Sequence, residues 1–166
     1  MLEDLVVLVN EQDEEIGTMP KLEAHQKGLL HRAFSVLIYN SKKEMLIHQR
    51  AMGKYHSEGL WTNACCSHPK PEETVVEAAH RRLQEELGFD CELNNEFDFI
   101  YQTPLENQLF EHEYDHVLSG IYDGIFEPNP AEVMDYRWVS VAELKQEIFL
   151  KPDAFTFWFK LIMEKC

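Results

Sequence analysis

The first half of the chain alternates between short apolar runs and turn-forming residues. Residues 5–10, 33–39 and 45–50 are rich in β-branched and other apolar side chains, which predicts three strands. Residues 40–43, Asn-Ser-Lys-Lys, predict a turn that joins the last two strands as a hairpin. Acidic residues 11–15 and Gly17 predict a turn into a connecting segment that holds Lys21 and His25. The mixed polar residues 53–59 predict an exposed loop.

A helix with both ends marked is predicted at residues 74–87. Thr74 and Glu77 form the pattern of a capping box, and Gly88 stands where helices commonly end in a left-handed residue. One stripe of this helix is apolar, and its members are Val75, Val76, Ala79, Leu83 and Leu87. The pattern therefore predicts an amphipathic helix that packs against a core.

The second half of the chain carries further strands and ends in helices. After a short apolar segment at residues 60–67, strands are predicted at 97–102, 113–122 and 137–140, and helices at 141–149 and 154–165. This order predicts an α/β fold of the α+β kind, with a mixed sheet packed between helices. The chain has 166 residues, 45% of them hydrophobic, and no repeat or linker, so residues 1–166 are predicted to form a single domain.

Charge and composition argue against several classes of protein. Fifteen Lys and Arg against thirty Asp and Glu give a formal net charge of −15, which would repel a nucleic-acid backbone. The apolar run at residues 5–9 is too short to span a bilayer, and Glu3 and Asp4 stand where a secretory signal would be basic. We therefore expect no nucleic-acid partner, no membrane insertion and a cytoplasmic location. The four cysteines contain no CxxC pair, which favours a free thiol over a disulfide framework.

Two acidic patterns indicate possible cation-binding sites, and the alternative for each is an ordinary solvated surface. On the predicted helix, Arg82, Glu85 and Glu86 share a face, where carboxylates can bind a hard cation or simply form a solvated surface. Glu111 and Glu113 are two apart, so a strand places both side chains on one face. A metal or a shared proton would relieve their repulsion, whereas on an exposed edge strand they would merely be solvated.

The predicted helix lies in a longer ordered motif. Ser67-x5-Glu73-x7-Arg81-Arg82-Leu83-Gln84-Glu85-Glu86-Leu87-Gly88-Phe89 resembles the Nudix box, Gly-x5-Glu-x7-Arg-Glu-U-x-Glu-Glu-x-Gly-U, where U is a bulky apolar residue. The resemblance implies a Nudix fold. The chain departs from the box at Ser67, and at Arg82, which replaces the glutamate that follows the arginine. Losing a metal-binding carboxylate and gaining a cation argues against diphosphate hydrolysis.

Immediately before the box, residues 61–69 read Trp-Thr-Asn-Ala-Cys-Cys-Ser-His-Pro, and here the chain resembles the type 1 isopentenyl diphosphate isomerases of the Nudix superfamily. The resemblance covers nearly the full length. Its other parts are Lys21 and His25, residues 30–35, Arg50 with Lys54, the degenerate box, residues 111–113, and Ala154-Phe155 leading to Trp158. It implies an isomerase of isoprenoid biosynthesis that interconverts isopentenyl diphosphate and dimethylallyl diphosphate through a carbocation-like state.

The resemblance implies catalytic roles for three residues. Cys66 and Glu113 match the family's paired catalytic residues, one on each side of the substrate, and Tyr101 assists the carboxyl group. Glu113 with Tyr101 would protonate the terminal alkene carbon, and Cys66 would remove the methylene proton. The reaction runs both ways, so the sequence does not fix this direction. Taken alone, a free cysteine is more often a buried structural thiol.

The resemblance also implies two divalent cations. Three imidazoles and two carboxylates match a His3Glu2 site for Zn²⁺, Mn²⁺ or Mg²⁺, and they are His25, His31, His68, Glu111 and Glu113. A second cation, Mg²⁺ bound with the substrate diphosphate, is expected at Glu86.

Six further residues match the family's substrate contacts. The cations that would hold the diphosphate are Lys21, Arg50, Lys54 and Arg82, and the aromatic rings beside the hydrocarbon are Trp61 and Trp158. Taken alone, each cation is typical of a solvated surface and each tryptophan of core packing. Cys65 is expected only to pack, and no chemical role is assigned to His48, His56, His80, His112 or His116.

Two alternatives stay open beside the isomerase. One is a Nudix hydrolase of a diphosphate-linked substrate, which Arg82, Cys66 and the 111–113 segment disfavour. The other is a non-catalytic metal-binding module with the same fold. The expected partner is a small isoprenoid diphosphate, and the chain is expected to be a monomer or a homodimer.

Overall fold

A computed structural model describes residues 4–54 and 56–166. Over these residues the chain forms nine strands, four α-helices and one 3₁₀ turn. The strands are β1 (Leu5–Val9), β2 (Glu15–Pro20), β3 (His31–Tyr39), β4 (Glu44–Arg50), β5 (Trp61–Thr62), β6 (Cys65–Ser67), β7 (Asn94–Pro104), β8 (Phe110–Ile121) and β9 (Val133–Ser140). The helices are α1 (Lys21–Lys27), α2 (Val75–Leu87), α3 (Val141–Leu150) and α4 (Phe157–Glu164), with the 3₁₀ turn at Pro152–Ala154. No helix in the described ranges is both long and apolar enough to cross a membrane.

The strands form one mixed sheet centred on β3. One edge of β3 pairs in parallel with β8 along its whole length, and the other edge is divided among β1, β6 and β4. The predicted hairpin is present, but β3 and β4 pair only at Tyr39 and Met45, beside their turn. They then diverge, because β4 pairs with β5 and β9 instead. Strands β2 and β7 extend the sheet beyond β1 and β8.

Apolar side chains fill both faces of the sheet. On one face, Leu83 of α2 packs in a cluster with Phe34 of β3. On the opposite face, Phe159 of α4 packs in a second cluster with Leu37 of β3. Val36 and Ile38, the neighbours of Leu37, belong to the first cluster, so successive residues of β3 contribute to different clusters, as expected for a strand that is covered on both sides. The predicted mixed sheet between helices is confirmed.

Helix α2 begins and ends where the sequence predicts. The Thr74 hydroxyl accepts the Glu77 backbone N–H at 3.1 Å, and the Glu77 carboxylate accepts the Thr74 N–H at 2.9 Å. Gly88 ends the helix with a φ of 78°, and a Cβ at this position would lie 2.7 Å from the Glu127 carbonyl oxygen. Glycine is therefore required there for both its backbone conformation and its size.

The connecting segment after Gly17 contains two elements that the sequence did not predict. Residues 15–20 form β2 against β1, and residues 21–27 form α1, which ends at the left-handed Gly28. With seven residues, α1 is too short to show a helical period, and only Ala24 and His25 of it are buried. This helix places Lys21 and His25 one turn apart.

The exposure of one loop and the start of the last helix also differ from the sequence prediction. The loop at residues 53–59 is not wholly exposed, because His56 and Ser57 are buried. The Arg50 guanidinium donates to both of their carbonyl oxygens at 3.1 Å, which holds this part of the loop inward. The last helix begins at Phe157, since Thr156 is extended and its N–H bonds the Trp61 carbonyl oxygen at 3.0 Å.

Candidate active site

Strand β8 brings three carboxyl groups to one buried face. Glu111, Glu113 and Asp115 are 3%, 6% and 1% exposed, which excludes the solvated-edge alternative for the two glutamates. The Ser35 hydroxyl donates to Asp115 at 2.8 Å. Burial, and then the charge of Glu113, raises the pKa of Asp115 well above its ordinary value. Asp115 extends the predicted acidic pair by one residue, and the alternation along β8 is the signal that would have found it.

Tyr101 holds the carboxyl groups of Glu111 and Glu113. It lies opposite Glu113 in the register of β7 and β8. Its hydroxyl oxygen is 2.7 Å from Glu113 Oε1 and 3.0 Å from Glu111 Oε1. Burial and the two nearby carboxylates raise the pKa of Tyr101 well above its ordinary value, so the phenol keeps its proton.

Histidines from three separate elements converge on Glu113. His31 Nε2 and His68 Nε2 lie 3.1 Å and 2.9 Å from Glu113 Oε2 and 3.3 Å from each other. His25 completes this first set, in which one ligand atom from each residue lies within 4.8 Å of every other. Donors about 2.1 Å from a common ion lie about 3.0 Å apart when they are adjacent in its coordination shell. The spacing therefore fits a single bound cation.

The imidazoles of the first set are oriented as metal ligands. His25 Nδ1 is 2.8 Å from the Lys21 carbonyl oxygen, and His31 Nδ1 is 2.9 Å from that of Leu29. A carbonyl oxygen only accepts, so both Nδ1 atoms donate, and Nε2 is the atom of each ring that is left to coordinate a metal. Burial lowers the pKa of His25, and it lowers that of His68 to about 4 although Glu113 acts in the opposite direction. Neutral imidazoles with a carboxylate suit a divalent transition metal.

The two central glutamates differ in proton affinity. Burial and the charge of Glu113 raise the pKa of Glu111 well above its ordinary value. Burial acts in the same direction on Glu113, but hydrogen bonds from His31 and His68 outweigh it and hold the pKa of Glu113 well below its usual range. Without a metal, Glu111 therefore binds a proton more readily than Glu113 does.

A second set of possible ligands adjoins the first and contains a residue to which the sequence assigned no role. Its members are His25, His56 and Glu111. His56 Nε2 lies 3.5 Å from Glu111 Oε2. The structure thus groups Glu111 with His25 and His56 rather than with His31, His68 and Glu113. Nothing in the spacing of His56 along the chain indicates this position, because its burial depends on Arg50 and the fold.

Cys66 opens into a small cavity that Glu113 also lines. This inner cavity has a volume of about 70 Å³, and its wall includes Arg50 and Trp158. Strand β3 lies between the two residues. Cys66 of β6 pairs with Ser35 of β3, and Glu113 of β8 pairs with His31 of β3. Burial raises the pKa of the Cys66 thiol, so the sulfur carries a proton.

A larger groove of about 470 Å³ adjoins the inner cavity. Three of the predicted diphosphate-binding cations, Lys21, Lys54 and Arg82, line both spaces. Glu132, which the sequence did not single out, pairs with Lys54 and lies 3.3 Å from Arg82. A chain of formal net charge −15 thus concentrates cations where an anionic group would lie.

The remaining predicted substrate contacts have different surroundings. Arg50 lines the inner cavity and lies over the Trp158 ring at 5.4 Å, and the Trp158 indole N–H donates to Asn63 at 3.3 Å. Among the described residues, those lining the inner cavity do not include Trp61. Its ring lies under Arg137 at 5.3 Å.

Adjacent cysteines of β6 belong to opposite faces of the sheet. Cys65 joins the cluster that contains α2, and its thiol donates to Glu86 at 2.9 Å, a contact beyond the packing role predicted for it. Glu86 is 4% exposed and lies 3.6 Å from Arg82, whereas Glu85 is exposed. The solvated-surface alternative is therefore wrong for Glu86. Burial raises the pKa of this carboxyl group.

His48 predicts a pH dependence of stability that is independent of the metal ligands. It is 1% exposed, bonds the Ala64 carbonyl oxygen at 3.0 Å, and burial lowers its pKa from 6.5 to about 4. Between those values the unfolded chain binds a proton that the folded chain does not, so stability is lost as pH falls. We expect the metal-free wild type to lose about 2–3 kcal/mol more than His48→Gln between pH 7 and 4.5 in urea unfolding. Equal losses in both proteins would contradict this assignment.

Comparison with known proteins identifies the family. Residues 29–159 match the NUDIX domain. An isopentenyl-diphosphate Delta-isomerase of Pectobacterium atrosepticum is 50% identical over 156 residues, which cover 94% of this chain and 87% of the relative. One of Aromatoleum aromaticum is 45% identical over 164 residues, covering 99% of this chain and 87% of the relative.

The chain belongs to the isopentenyl-diphosphate Delta-isomerase family. The Nudix fold and the isomerase family that the motifs indicated are confirmed. A crystal structure from Deinococcus radiodurans has a TM-score of 0.81 at 20% identity and covers 98% of both chains. A MutT protein from Methanosarcina mazei has a TM-score of 0.66 at 19% identity, covering 82% of this chain and 91% of that one. These two likenesses concern the fold alone.

Proposed function

We propose that this chain interconverts isopentenyl diphosphate and dimethylallyl diphosphate, as the names of its relatives indicate. One observation carries the proposal beyond family membership. The Glu113 carboxyl group, which is hydrogen-bonded to Tyr101, lines the small inner cavity. The protonated thiol of Cys66 lines the same cavity. Moving a double bond by one carbon requires one proton to be added and another removed within a site that excludes water.

The two adjoining spaces match the two halves of the substrate. The inner cavity, with Trp158 in its wall, would take the five-carbon hydrocarbon, and an indole face can stabilise positive charge on carbon. The cations shared with the outer groove, Lys21, Lys54 and Arg82, would bind the diphosphate. Mg²⁺ is proposed to accompany the diphosphate beside Glu86, where a carboxylate would replace one of its waters.

The proposed reaction balances with one proton added and one removed. The proton that Cys66 carries before substrate binds would first have to reside on Glu113, which leaves Cys66 as the thiolate. Glu113, assisted by Tyr101, would then deliver this proton to the terminal alkene carbon, and the alkene electron pair forms the new C–H bond. The neighbouring tertiary carbon then carries the positive charge. Loss of a proton from the adjacent methylene to Cys66 supplies the electrons of the new double bond. The reverse reaction exchanges these roles.

A divalent cation held by His25, His31, His68, Glu111 and Glu113 would fix the position of the Glu113 carboxyl group and set its proton affinity. Four of these five residues form the first set, which fits a bound metal by its distances and by the orientation of its imidazoles. Zn²⁺, Mn²⁺ and Mg²⁺ are the proposed occupants.

Hydrolysis of a diphosphate is the less favoured activity. Arg82 stands where the Nudix box has a glutamate, and its guanidinium lies 3.6 Å from Glu86 and 3.3 Å from Glu132. The chain thus lacks one of the carboxylates with which the Nudix box binds metal for hydrolysis, and hydrolysis gives no role to Cys66. The cytoplasmic location, the single domain over residues 1–166 and the monomeric or homodimeric state stay predictions.

Isopentenyl diphosphate with Mg²⁺ in deuterated water tests the proposed function. Proton and phosphorus NMR should show dimethyl vinyl signals, deuterium incorporation and an intact diphosphate. Release of phosphate would identify a hydrolase instead. Unchanged spectra from protein shown to contain metal would favour a non-catalytic metal-binding module.

Removal of single ligands should lower the metal content. We expect His68→Ala and Glu111→Ala to weaken divalent-cation binding by about tenfold or more, since each change removes one donor from the proposed centre. Equilibrium dialysis followed by elemental analysis measures this directly. His116→Ala is the control, because His116 pairs with Asp13 at 2.9 Å outside both ligand sets. Full occupancy and unchanged affinity in both ligand variants would refute the five-ligand assignment.

A further inference from the structure

His56 is built into the cluster in the same way as the predicted histidine ligands. Its side chain is 6% exposed, and its Nδ1 lies 3.1 Å from the Ser57 hydroxyl oxygen. Its Nε2 faces Glu111 Oε2 at 3.5 Å. One ring nitrogen is therefore held by a neighbouring oxygen while the other faces a carboxylate. His25 and His31 show the same arrangement, with carbonyl oxygens in place of the hydroxyl.

The rest of the structure holds this imidazole in place. The Arg50 guanidinium bonds the carbonyl oxygens of His56 and Ser57, and Glu106 accepts the Ser57 N–H. The His56 ring packs edge-on against Trp158 at 6.0 Å and stacks on His25 at 5.8 Å. Ser57 keeps a φ of 54°, a conformation that side chains rarely adopt, so the backbone is constrained where it positions His56.

His56 and Glu111 have the spacing of adjacent ligands. The 3.5 Å between their facing atoms is close to the separations of 2.9–3.3 Å within the first set. His25 belongs to both sets, and its Nδ1 is occupied by Lys21, so it coordinates through Nε2 alone. An ion bound by both Glu111 and His25 would therefore lie within reach of His56 as well.

We propose that His56 is a sixth metal ligand of this chain, coordinating through Nε2 beside Glu111. The inference rests on the metal centre of the proposed function and adds a donor to it. Four imidazoles and two carboxylates would supply six donors, a number that suits an octahedral ion such as Mn²⁺ better than tetrahedral Zn²⁺. A filled shell has no open position for water or for the diphosphate. The ion would then act on the substrate only through Glu113.

Mn²⁺ alone is the probe that tests this ligand. Metal-free wild-type protein is titrated with Mn²⁺, and the dissociation constant and the solvent-proton relaxation rate of the bound ion are measured. A complete protein shell leaves no coordinated water, so relaxation enhancement by bound Mn²⁺ should be small. His56→Ala should bind Mn²⁺ about tenfold or more weakly and show the relaxation of an ion with one exchangeable water. Free imidazole should reverse both changes.

Matched measurements make the result decisive. His80→Ala changes a half-buried histidine that pairs with Asp90 on the outer side of α2, so it should leave both quantities unchanged. Equal affinity and relaxation in His56→Ala and the wild type would overturn the proposal. If His56→Ala does not fold, a coordinated water on Mn²⁺ in the wild type overturns it equally. Because no readout involves turnover, failure of isomerase activity would not alter this result.

Discussion

Replacing Cys66 with alanine is expected to lower the isomerisation rate by about 1,000-fold or more, because proton transfer at one end of the alkene loses its acid or base. The thiol lines the inner cavity and keeps its proton through burial, so it is placed to exchange that proton with the substrate. The rate of dimethylallyl diphosphate formation at saturating Mg²⁺ measures the effect. Divalent-metal content should stay at the wild-type level, since the sulfur belongs to neither ligand set.

A second cysteine provides the control for Cys66→Ala. Cys91 is also a free, half-buried thiol, but it packs against the cluster on the α2 face of the sheet. Cys91→Ala should therefore keep nearly full activity. A Cys66→Ala protein that isomerises within about tenfold of the wild-type rate would show that another group moves this proton. A Cys66→Ala protein that releases phosphate at the wild-type rate would support the hydrolase.

The sequence predicted those parts of the site that local patterns determine. The capping box and Gly88 defined α2 because helix ends depend on residues a few positions apart. The two-residue spacing of Glu111 and Glu113 placed both carboxylates on one face because alternation is a property of any strand. For the widely separated histidines, only the family resemblance indicated that His25, His31 and His68 would meet.

Features that depend on the whole fold escaped prediction. Helix α1 is stabilised by contacts made by one short face, so its seven residues show no apolar period. His56 is buried because Arg50 bonds the backbone of its loop, and Glu132 meets Lys54 and Arg82 across 78 and 50 residues of sequence. The sequence does not indicate which face of the sheet Cys65 or Cys66 occupies, because this depends on the orientation of β6. Side chains supplied by separate elements meet only once the sheet has formed.

Changing Glu113 to glutamine should affect both the metal and the chemistry. The amide keeps the shape of the side chain, but it cannot exchange a proton as a carboxyl group does. It also removes the anionic oxygen that lies 3.1 Å from His31 and 2.9 Å from His68. We expect turnover to fall by about 1,000-fold or more even at metal concentrations that saturate the variant, and metal affinity to fall separately.

The separation of these two effects decides the role of Glu113. Asp115→Asn is the matched control, since Asp115 is a buried carboxyl group on the same face. Its raised pKa favours the protonated form, which an amide resembles closely. That variant should retain activity within about tenfold. If saturating metal restores wild-type turnover to Glu113→Gln, the carboxyl group serves only to bind the ion. If turnover stays low while the metal is bound, proton transfer through Glu113 is the step that was lost, because the ion, the cavity and Cys66 are all still present.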